Sequence, residues 1–369
     1  MFSLSAEQHN HARTLRAARV IVFCVCIASF AVRMWLWQSG PDTDSDAYGH
    51  MASGAAWLQR PLDTRVHWVW LPLWHVVCAA AIKLGGGHQA LRVANALLAS
   101  LLPAMLAALM LRAQRPPMIA AFAALLSVSG AFLLDHGQSA EPEPLFAALL
   151  LGAALAWQSG RVWAAAACFA ATCMLRYEAW AFLPAVCAFC MRERKPWGHA
   201  AWGVPVAAIA LWCAARAHDD GGWFIFVQAN RDFVRSAHAH GVGLAESFWR
   251  ALQLYTLRIP FLEWGPIFAV SLLGIHAFCT HTPRSFLWPA ASLLAFITYG
   301  WFAGQHLGLP RHMFALAPAF AWLMAEGAAR ASQRKAGALL VAGAMLFQLG
   351  WRVPHALARV QLEHVHYAR

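Results

Sequence analysis

VIVFCVCIASFAVRMWLW, at residues 20–37, is followed three residues later by the acidic stretch PDTDSDAY, at residues 41–48. The first stretch is long enough to cross roughly 30 Å of hydrocarbon as a helix, and apolar runs of about 17–23 residues recur along the chain. Only 12% of the 369 residues are charged, against about a quarter in soluble domains. Runs rich in Ala and Leu, such as residues 97–111, lack the alternation of β-barrel strands. The sequence therefore predicts an all-α polytopic membrane protein.

Most of the positive charges lie in short loops between apolar runs. The net charge of +11 follows the tendency of Lys and Arg to stay on the cytoplasmic side, and it does not indicate a nucleic-acid partner. The nine cysteines lie mostly inside apolar runs without zinc-ligand spacing, so we interpret them as small buried hydrophobic residues. Arg13, Arg16 and Arg19 precede the first run, and no small-residue cleavage site follows it. We therefore expect the first span to be an anchor with a cytoplasmic N-terminus.

The basic clusters set the predicted orientation of the spans. Keeping each cluster inside gives about eleven crossings, with the C-terminus outside. One further apolar piece, Trp68–Leu84, would move every later basic cluster to the other side if it crossed. Its Trp, His and Pro residues favour an interfacial or re-entrant segment instead. The predicted spans are roughly residues 18–37, 89–111, 118–134, 144–158, 162–176, 178–191, 199–217, 264–280, 285–303, 311–329 and 336–352.

This topology divides the carboxylates unequally between the two sides. Fourteen of the seventeen Asp and Glu residues fall outside, and only Glu7, Glu193 and Glu326 remain inside. Carboxylates are rare in such proteins unless they react or bind cations, so we expect the chemistry on the outer side. The prediction divides the chain into a module at residues 1–191, with the first outer loop at 38–88, and a module at 192–369, with an outer loop at 218–263.

Asp42, Asp44 and Asp46 stand directly after the first span, with Tyr48 and His50 behind them. A carboxylate beside an apolar span can act as a base, and the alternative is a solvated acidic loop. DAYGH at residues 46–50 resembles the Asp, aromatic, then His or Arg pattern of oligosaccharyltransferase catalytic subunits and protein O-mannosyltransferases. Both belong to the GT-C superfamily of membrane glycosyltransferases, in which an Asp of the first outer loop is the catalytic base. The resemblance implies Asp46 as the base, and Asp44 and Asp42 stay open as the alternatives.

SAEPEPLF at residues 139–146 lies at the second predicted outer loop. It resembles the S-x-E-x-L-F stretch of GPI- and dolichol-dependent mannosyltransferases in the same superfamily. The resemblance implies that Glu141 or Glu143 faces the site, with Glu143 the catalytic candidate. The alternative is an ordinary helix N-terminus, where Pro and acidic residues are common.

LRYEAW at residues 175–180 places an Arg and a Glu inside a long apolar stretch. Charges at membrane depth are costly unless they are paired or face a polar cavity. The stretch resembles the T-R-x-E-G motif of several GT-C mannosyltransferases, with Leu175 replacing Thr and Ala179 replacing Gly. The resemblance implies that Arg176 or Glu178 shapes a substrate pocket, and the alternative is a structural ion pair.

GQHLGLPRH at residues 304–312 resembles the late R-Y or R-H element of GT-C enzymes, where a basic residue meets the lipid-linked phosphate. Arg311 is thereby implied to hold the departing phosphate, since a guanidinium can bind two of its oxygens. His312 stands beside it. The alternative is an Arg that extends its charge to the outer surface.

HWVWLPLWH at residues 67–75 combines two histidines with three tryptophans. Three interpretations stay open: an interfacial belt, a groove for donor or acceptor, and a haem or metal site with axial His ligands. No C-x-x-C-H attachment site occurs in the chain. We keep His67 as a candidate substrate-binding residue.

The resemblance as a whole implies a GT-C-like bundle with an interfacial helical first outer loop. It implies an inverting transferase that moves a sugar from a polyprenyl-phosphate-linked donor to a hydroxyl of a lipid, glycan or protein, on the periplasmic side of a bacterial inner membrane. The chain departs from one branch of the superfamily because its first loop has no clear Asp-Glu pair. The implied substrate-binding residues are Arg311, Arg176, Glu178, Glu141, His50, Tyr48, His67 and His312.

Metal dependence is left open at this point, because GT-C branches differ in it. If Mg²⁺ or Mn²⁺ takes part, the candidate ligands are Asp44, Asp46, Glu141 and Glu143. A transporter or lipid flippase would also place charges at membrane depth, but we find no inverted repeat of the kind that transporters show. A haem- or metal-handling protein is the third class.

Overall fold

The computed structural model describes residues 6–42, 44–193, 197–239, 247–304 and 309–358, and every regular element within these ranges is helical. Short 3-10 helices lie at Thr64–His67, Tyr177–Ala181, Gly265–Val270 and Pro310–Leu316, with π-helical turns at Leu254–Arg258 and Gln348–Arg352. The α-helices are α1 (Ala6–Ser39), α2 (Ser45–Gln59), α3 (Pro72–Lys83), α4 (Gly87–Arg112), α5 (Pro117–Leu126), α6 (Ala131–His136), α7 (Glu143–Gln158), α8 (Val162–Leu175), α9 (Phe182–Glu193), α10 (Gly198–Ala201), α11 (Gly203–Asp220), α12 (Ile225–Ala239), α13 (Phe248–Gln253), α14 (Ile259–Trp264), α15 (Ser271–His281), α16 (Arg284–Phe302), α17 (Ala317–Ala331) and α18 (Lys335–Phe347).

Within the described ranges, six helical segments are long and apolar enough to cross a membrane, and α3, α5, α7 and α8 are shorter apolar helices beside them. The predicted all-α polytopic membrane protein is therefore confirmed. The count of eleven spans and the division into two modules stay predictions. The six segments are Gln8–Ser39, Gly87–Arg112, Gly198–Asp220, Phe248–His281, Arg284–Phe302 and Lys335–Ala358.

Several predicted spans are interrupted or contain non-α turns, and two of them show this most clearly. The span at 118–134 is divided between α5 and α6, because Ser127 and Ser129 turn their hydroxyls back onto the carbonyls of Ala124 (2.7 Å) and Leu126 (3.0 Å). Such local hydrogen bonds compete with the helix and end it. The span at 311–329 begins with the 3-10 turn Pro310–Leu316 before α17 starts.

Helix α3 occupies the apolar piece that sequence analysis placed at the interface. It has 12 residues, so at 1.5 Å per residue it is roughly 18 Å long, too short to cross roughly 30 Å of hydrocarbon. It starts at Pro72, a favourable first helical residue because its missing N–H needs no partner there. Its length agrees with an interfacial or re-entrant segment, which stays a prediction.

The helices of the core approach closely where their residues are small. Helix α7 packs between α4 and α8 through alanines that are almost completely buried, among them Ala147, Ala153 and Ala154. Helices α15 and α17 cross at Gly274 and Gly327, where an added Cβ would meet the facing backbone. The predicted first outer loop joins this core because α2 packs on α3 and α3 packs on α4.

Gly54 sets the distance between α2 and α3. A Cβ at this position would lie 2.6 Å from Cys78 Cβ and 3.0 Å from the Ala79 nitrogen. We therefore expect Gly54→Ala to lower the free energy of unfolding by about 1–3 kcal/mol, the usual cost of overpacking. Gly343→Ala is the matched control, since nothing lies within 4 Å of its Cβ position in α18, and it should be neutral or slightly stabilising. Thermal unfolding in detergent compares the two, and equal effects would contradict this role of Gly54.

Candidate active site

The segment before α7 is fixed by buried polar contacts to the first outer loop and to α4. The Asp42 carboxylate accepts hydrogen bonds from the Ser139 hydroxyl (2.9 Å) and the Ala140 N–H (2.7 Å). The Asn95 amide donates to the carbonyls of Ser139 and Glu141, both at 2.7 Å. These contacts fix the backbone at Glu141 beside α2.

Asp42 is buried and belongs to this anchor. Burial alone would raise the pKa of Asp42, but hydrogen bonds from His88, Ala140 and Ser139 hold it below its ordinary value. Arg92, also buried in α4, donates to the Gly40 carbonyl (2.9 Å) and to the Gln138 side chain. Of the three aspartates after the first span, Asp42 is thus the one that holds the loop in place.

Asp42→Ala should destabilise the protein, because it leaves the Ala140 N–H and the Ser139 hydroxyl buried without their acceptor. We expect a loss of about 1–3 kcal/mol at neutral pH. Since the folded pKa is below the unfolded one, the ionised group stabilises the fold above pH ~4, and this contribution is lost as the pH falls through the folded pKa. Unfolding measured from pH 7 to well below pH ~4 should show the difference between wild type and variant shrinking in acid. A constant difference across that range would contradict the ionised anchor.

Arg311 lies between four carboxylates. Its Nη1 is 2.7 Å from Asp44 Oδ2 and 3.5 Å from Glu141 Oε1, its Nη2 is hydrogen-bonded to Asp46 Oδ2, and its Nε is 3.9 Å from Glu143 Oε1. Burial would lower the pKa of Arg311, but the carboxylates, Glu141 and Glu143 most strongly, raise it well above its ordinary value. Burial and the neighbouring Glu143 raise the pKa of Glu141. The guanidinium therefore stays charged among these acids.

The four carboxylates differ in how far they can be reached from outside. Asp44 is the N-cap of α2 and accepts a hydrogen bond from the Asp46 N–H (3.0 Å). The side chain of Asp46 is 30% exposed and that of Asp44 18%, whereas Glu141 and Glu143 are at 2% and 3%. Asp46 is thus the member of the cluster most open to a substrate.

Arg176 joins this cluster to the late motif. It is hydrogen-bonded to Glu143, its Nη2 and Nε lie 2.7 and 3.1 Å from Glu178 Oε1, and its Nη2 is 2.9 Å from His312 Nδ1. Burial would raise the pKa of Glu178, but Arg176 and His312 hold it well below its ordinary value. Burial lowers the pKa of His312. Arg176 and Glu178 form an ion pair, which was the structural interpretation of this motif. They also line a cavity, as the substrate-pocket interpretation requires.

A cavity of about 830 Å³ opens over these residues. Asp44, Asp46, Glu141, Arg311 and Arg176 lie along its polar side. Helix α12, from the predicted outer loop at 218–263, also lines the cavity. Residues 240–246 of that loop and 305–308 of the late motif lie outside the described ranges. The aromatic side chains of the cavity are Trp68, Trp70, Tyr177, Trp180, Phe226, Phe233, Phe296 and Tyr299.

Three predicted site residues lie apart from this lining: Glu143, which is buried, Tyr48 and His67. Tyr48 is about half exposed, stacks on His88 at a centroid distance of 4.7 Å, and donates to the Asp42 carbonyl (3.2 Å). His67 is buried, and its Nδ1 is 2.7 Å from His75 Nδ1. Their roles in substrate binding stay predictions.

His67 is the outer end of a chain of three buried histidines. His75 Nε2 lies 2.9 Å from His50 Nδ1, and His50 Nε2 lies 3.6 Å from Glu141 Oε2. Burial lowers the pKa of His67 to about 4 and also lowers that of His50, so both are neutral at pH 7. Because the facing nitrogens bond to one another, they are not directed at an axial ligand position.

The sequence motifs did not include Asn95 or Arg92, and they included His75 only as part of the stretch at residues 67–75. Asn95 and Arg92 stand three residues apart within an apolar span, and polar residues at membrane depth are rare without a partner. These two polar residues in an apolar span could have indicated that the span contacts another polar segment, which the structure shows to be the segment before α7. Nothing in the sequence indicated that His75 faces His50.

The four candidate metal ligands do converge, but around a guanidinium. Carboxylate oxygens suit Mg²⁺ or Mn²⁺, but the Arg311 guanidinium already occupies the space at which these oxygens meet. Among the described residues, no group of three or more His, Cys, Asp or Glu side chains has the arrangement of a metal site. The residues as arranged do not fit a divalent ion.

No protein-family model matches this chain, and no curated protein does. Solved structures of an oligosaccharyltransferase from Archaeoglobus fulgidus do match in fold. One, with a tethered acceptor peptide, has a TM-score of 0.55 at 14% identity over 92% of this chain and 55% of that chain. Another, with zinc and sulfate, has a TM-score of 0.53 at 14% identity over 92% and 53%.

A third structure is the archaeal oligosaccharyltransferase AglB from the same organism, in complex with an inhibitory peptide and a dolichol-phosphate. Its TM-score is 0.53 at 13% identity, over 93% of this chain and 56% of that chain. At this identity the likeness concerns the fold alone. The chain therefore shares the fold of archaeal oligosaccharyltransferases, and it spans slightly more than half of their length.

Proposed function

We propose that this chain is a membrane glycosyltransferase that moves a sugar from a polyprenyl-phosphate-linked donor to an acceptor hydroxyl, with inversion at the anomeric carbon. The observation that carries the proposal is the accessible carboxylate of Asp46, held by Arg311 at the polar side of a large aromatic-walled cavity. The fold adds support, because AglB, which shares it, was solved with a dolichol-phosphate and an inhibitory peptide.

Asp46 has the position of a general base. In the proposed step the acceptor oxygen attacks the anomeric carbon, the bond from that carbon to the phosphate oxygen breaks, and the phosphate leaves with the bonding electrons. The acceptor proton goes to Asp46. A base that collects this proton in the transition state contributes about 10²–10⁴-fold to such a reaction.

The departing phosphate gains negative charge and needs a donor directed at it. The Arg311 Nε–H is buried without a hydrogen-bond partner among the described residues, whereas both Nη atoms are engaged by carboxylates. We propose that the Arg311 Nε–H donates a hydrogen bond to a phosphate oxygen. Arg176 and His312 would contact the same phosphate end of the donor. Glu141, which lines the cavity, would accept a hydrogen bond from a sugar hydroxyl, and Glu143 would hold Arg176 in place behind it.

The aromatic walls suit the other parts of the substrates. Trp68, Trp70 and Phe233 present apolar ring faces, which can pack against an isoprenoid chain or the apolar face of a sugar ring. A hexose such as mannose is our first choice of sugar, because two motifs resemble those of mannosyltransferases. We place the reaction on the periplasmic side of a bacterial inner membrane, with a lipid, glycan or protein as acceptor.

Binding of the donor lipid tests the proposal without knowledge of the acceptor. Thermal unfolding of the purified protein would be followed with undecaprenyl phosphate, with undecaprenol, and with inorganic phosphate. We expect the lipid phosphate to raise the unfolding temperature, because ligands of the native state stabilise it, and the other two to have little effect. Equal effects of undecaprenyl phosphate and undecaprenol would show that no phosphate site exists and would count against the donor class.

A further inference from the structure

Arg311 occupies the position at which the predicted metal candidates meet. Each of the four carboxylates directs an oxygen toward its guanidinium, at distances up to 3.9 Å. The side chain is only 11% exposed, and a planar guanidinium with five donors matches carboxylate geometry in a way that a single point charge does not. The positive charge that these acids need is therefore already part of the chain.

Three further contacts engage oxygens of the cluster, whereas Glu143 Oε2 is buried without a hydrogen-bond partner among the described residues. Asp44 Oδ1 accepts from the N–H of Asp46 at the start of α2 (3.0 Å). Glu141 Oε2 faces His50 at 3.6 Å. Glu143 Oε1 is shared with Arg176. A hard divalent ion needs about six oxygen ligands around one point. Because most of these carboxylate oxygens already face protein groups, fewer than six are free to coordinate an ion.

We propose that Arg311 replaces a divalent cation in this site, so that the protein works without Mg²⁺ or Mn²⁺. The guanidinium holds Asp44 and Asp46 in place at the start of α2 and supplies the fixed positive charge beside the reacting atoms. The catalytic part of this statement rests on the proposed glycosyl transfer. The statement about the cation rests only on the contacts of Arg311.

The proposal implies that removing the guanidinium exposes an ion site. Arg311→Ser would leave four carboxylates around an open space, the hard oxygen set that Mn²⁺ accepts. We expect Mn²⁺ to bind this variant at least tenfold more tightly than wild type. Electron paramagnetic resonance of free and bound Mn²⁺, on the purified full-length protein, measures this directly.

Two matched variants distinguish the effect of removing Arg311 from the effect of removing any positive charge near the cluster. Arg311→Lys keeps a positive charge at the centre and should bind Mn²⁺ no better than wild type. Arg176→Ser removes the other guanidinium that is close to Glu143 but leaves Arg311 in place, so it too should gain no tight site. Gain of the same site in all three variants would contradict the special position of Arg311.

Wild type gives a readout even if Arg311→Ser fails to fold. We expect the purified wild-type protein to hold no stoichiometric Mn²⁺ or Mg²⁺ by elemental analysis, and its sugar transfer to be unchanged in EDTA. A stoichiometric ion in wild type with transfer lost in EDTA would overturn the proposal. A folded Arg311→Ser variant that gains no Mn²⁺ affinity would also overturn it. Failure of the transferase assignment would appear separately, as absence of transfer in wild type under every metal condition.

Discussion

Asp46→Asn should reduce sugar transfer by about 10²–10⁴-fold, the usual contribution of a positioned general base. The substitution keeps the size of the side chain and one oxygen for Arg311, but the amide cannot take the acceptor proton. The donor KM should change little, because Asp46 acts on the acceptor. Initial rates over a range of donor concentrations separate kcat from KM.

Two variants serve as controls for the base. Asp44→Asn should lower activity far less, because Asn is as good an N-cap as Asp and Asp44 is the less exposed of the two. Asp232→Asn removes a carboxylate whose side chain is 62% exposed on α12, and it should leave the rate unchanged. If Asp44→Asn abolishes transfer while Asp46→Asn does not, the base is Asp44.

Arg176→Met should have the largest effect on stability. It leaves Glu143 and Glu178 buried without the guanidinium that both contact. Breaking a buried ion pair from one side costs about 3–5 kcal/mol, and we expect a loss of this size in the free energy of unfolding. Denaturant unfolding in detergent micelles measures the change.

The double variant Arg176→Met with Glu178→Gln tests the cause. Since the second substitution removes one of the two stranded charges, it should recover part of the stability lost in Arg176→Met. The single variant Glu178→Gln should be less harmful than Arg176→Met, because Arg176 keeps Glu143 as a partner. An unchanged stability in Arg176→Met, or no recovery in the double variant, would contradict the electrostatic explanation.

The helical membrane fold could be predicted from hydropathy because a bilayer leaves the backbone few other ways to satisfy its hydrogen bonds. The spans were less predictable. Hydropathy alone did not show the interruption between α5 and α6, which depends on the hydroxyls of Ser127 and Ser129. Hydropathy alone also could not distinguish a 12-residue apolar helix such as α3 from a short membrane-spanning helix.

The four sequence motifs that resemble GT-C enzymes lie close together in the fold. Asp46, Glu141, Arg176 and Arg311 line a single cavity although up to 265 positions separate them. The different environments of Asp42 and Asp46 could not be predicted, since the spacing of the three aspartates is regular. Their environments depend on contacts with Ser139 and with Arg311, which only the folded chain provides.

Lipid mass spectrometry of cells tests the central claim most directly, because cells contain the true donor and acceptor. Extracts would be compared from cells lacking this protein and from the same cells carrying wild type, Asp46→Asn or Asp232→Asn. The proposed function predicts that a polyprenyl-phosphate-linked sugar accumulates without the protein and with Asp46→Asn, but not with wild type or Asp232→Asn. If no such donor accumulates in any strain, the protein is not this transferase, and transport of a lipid or solute becomes the explanation to test.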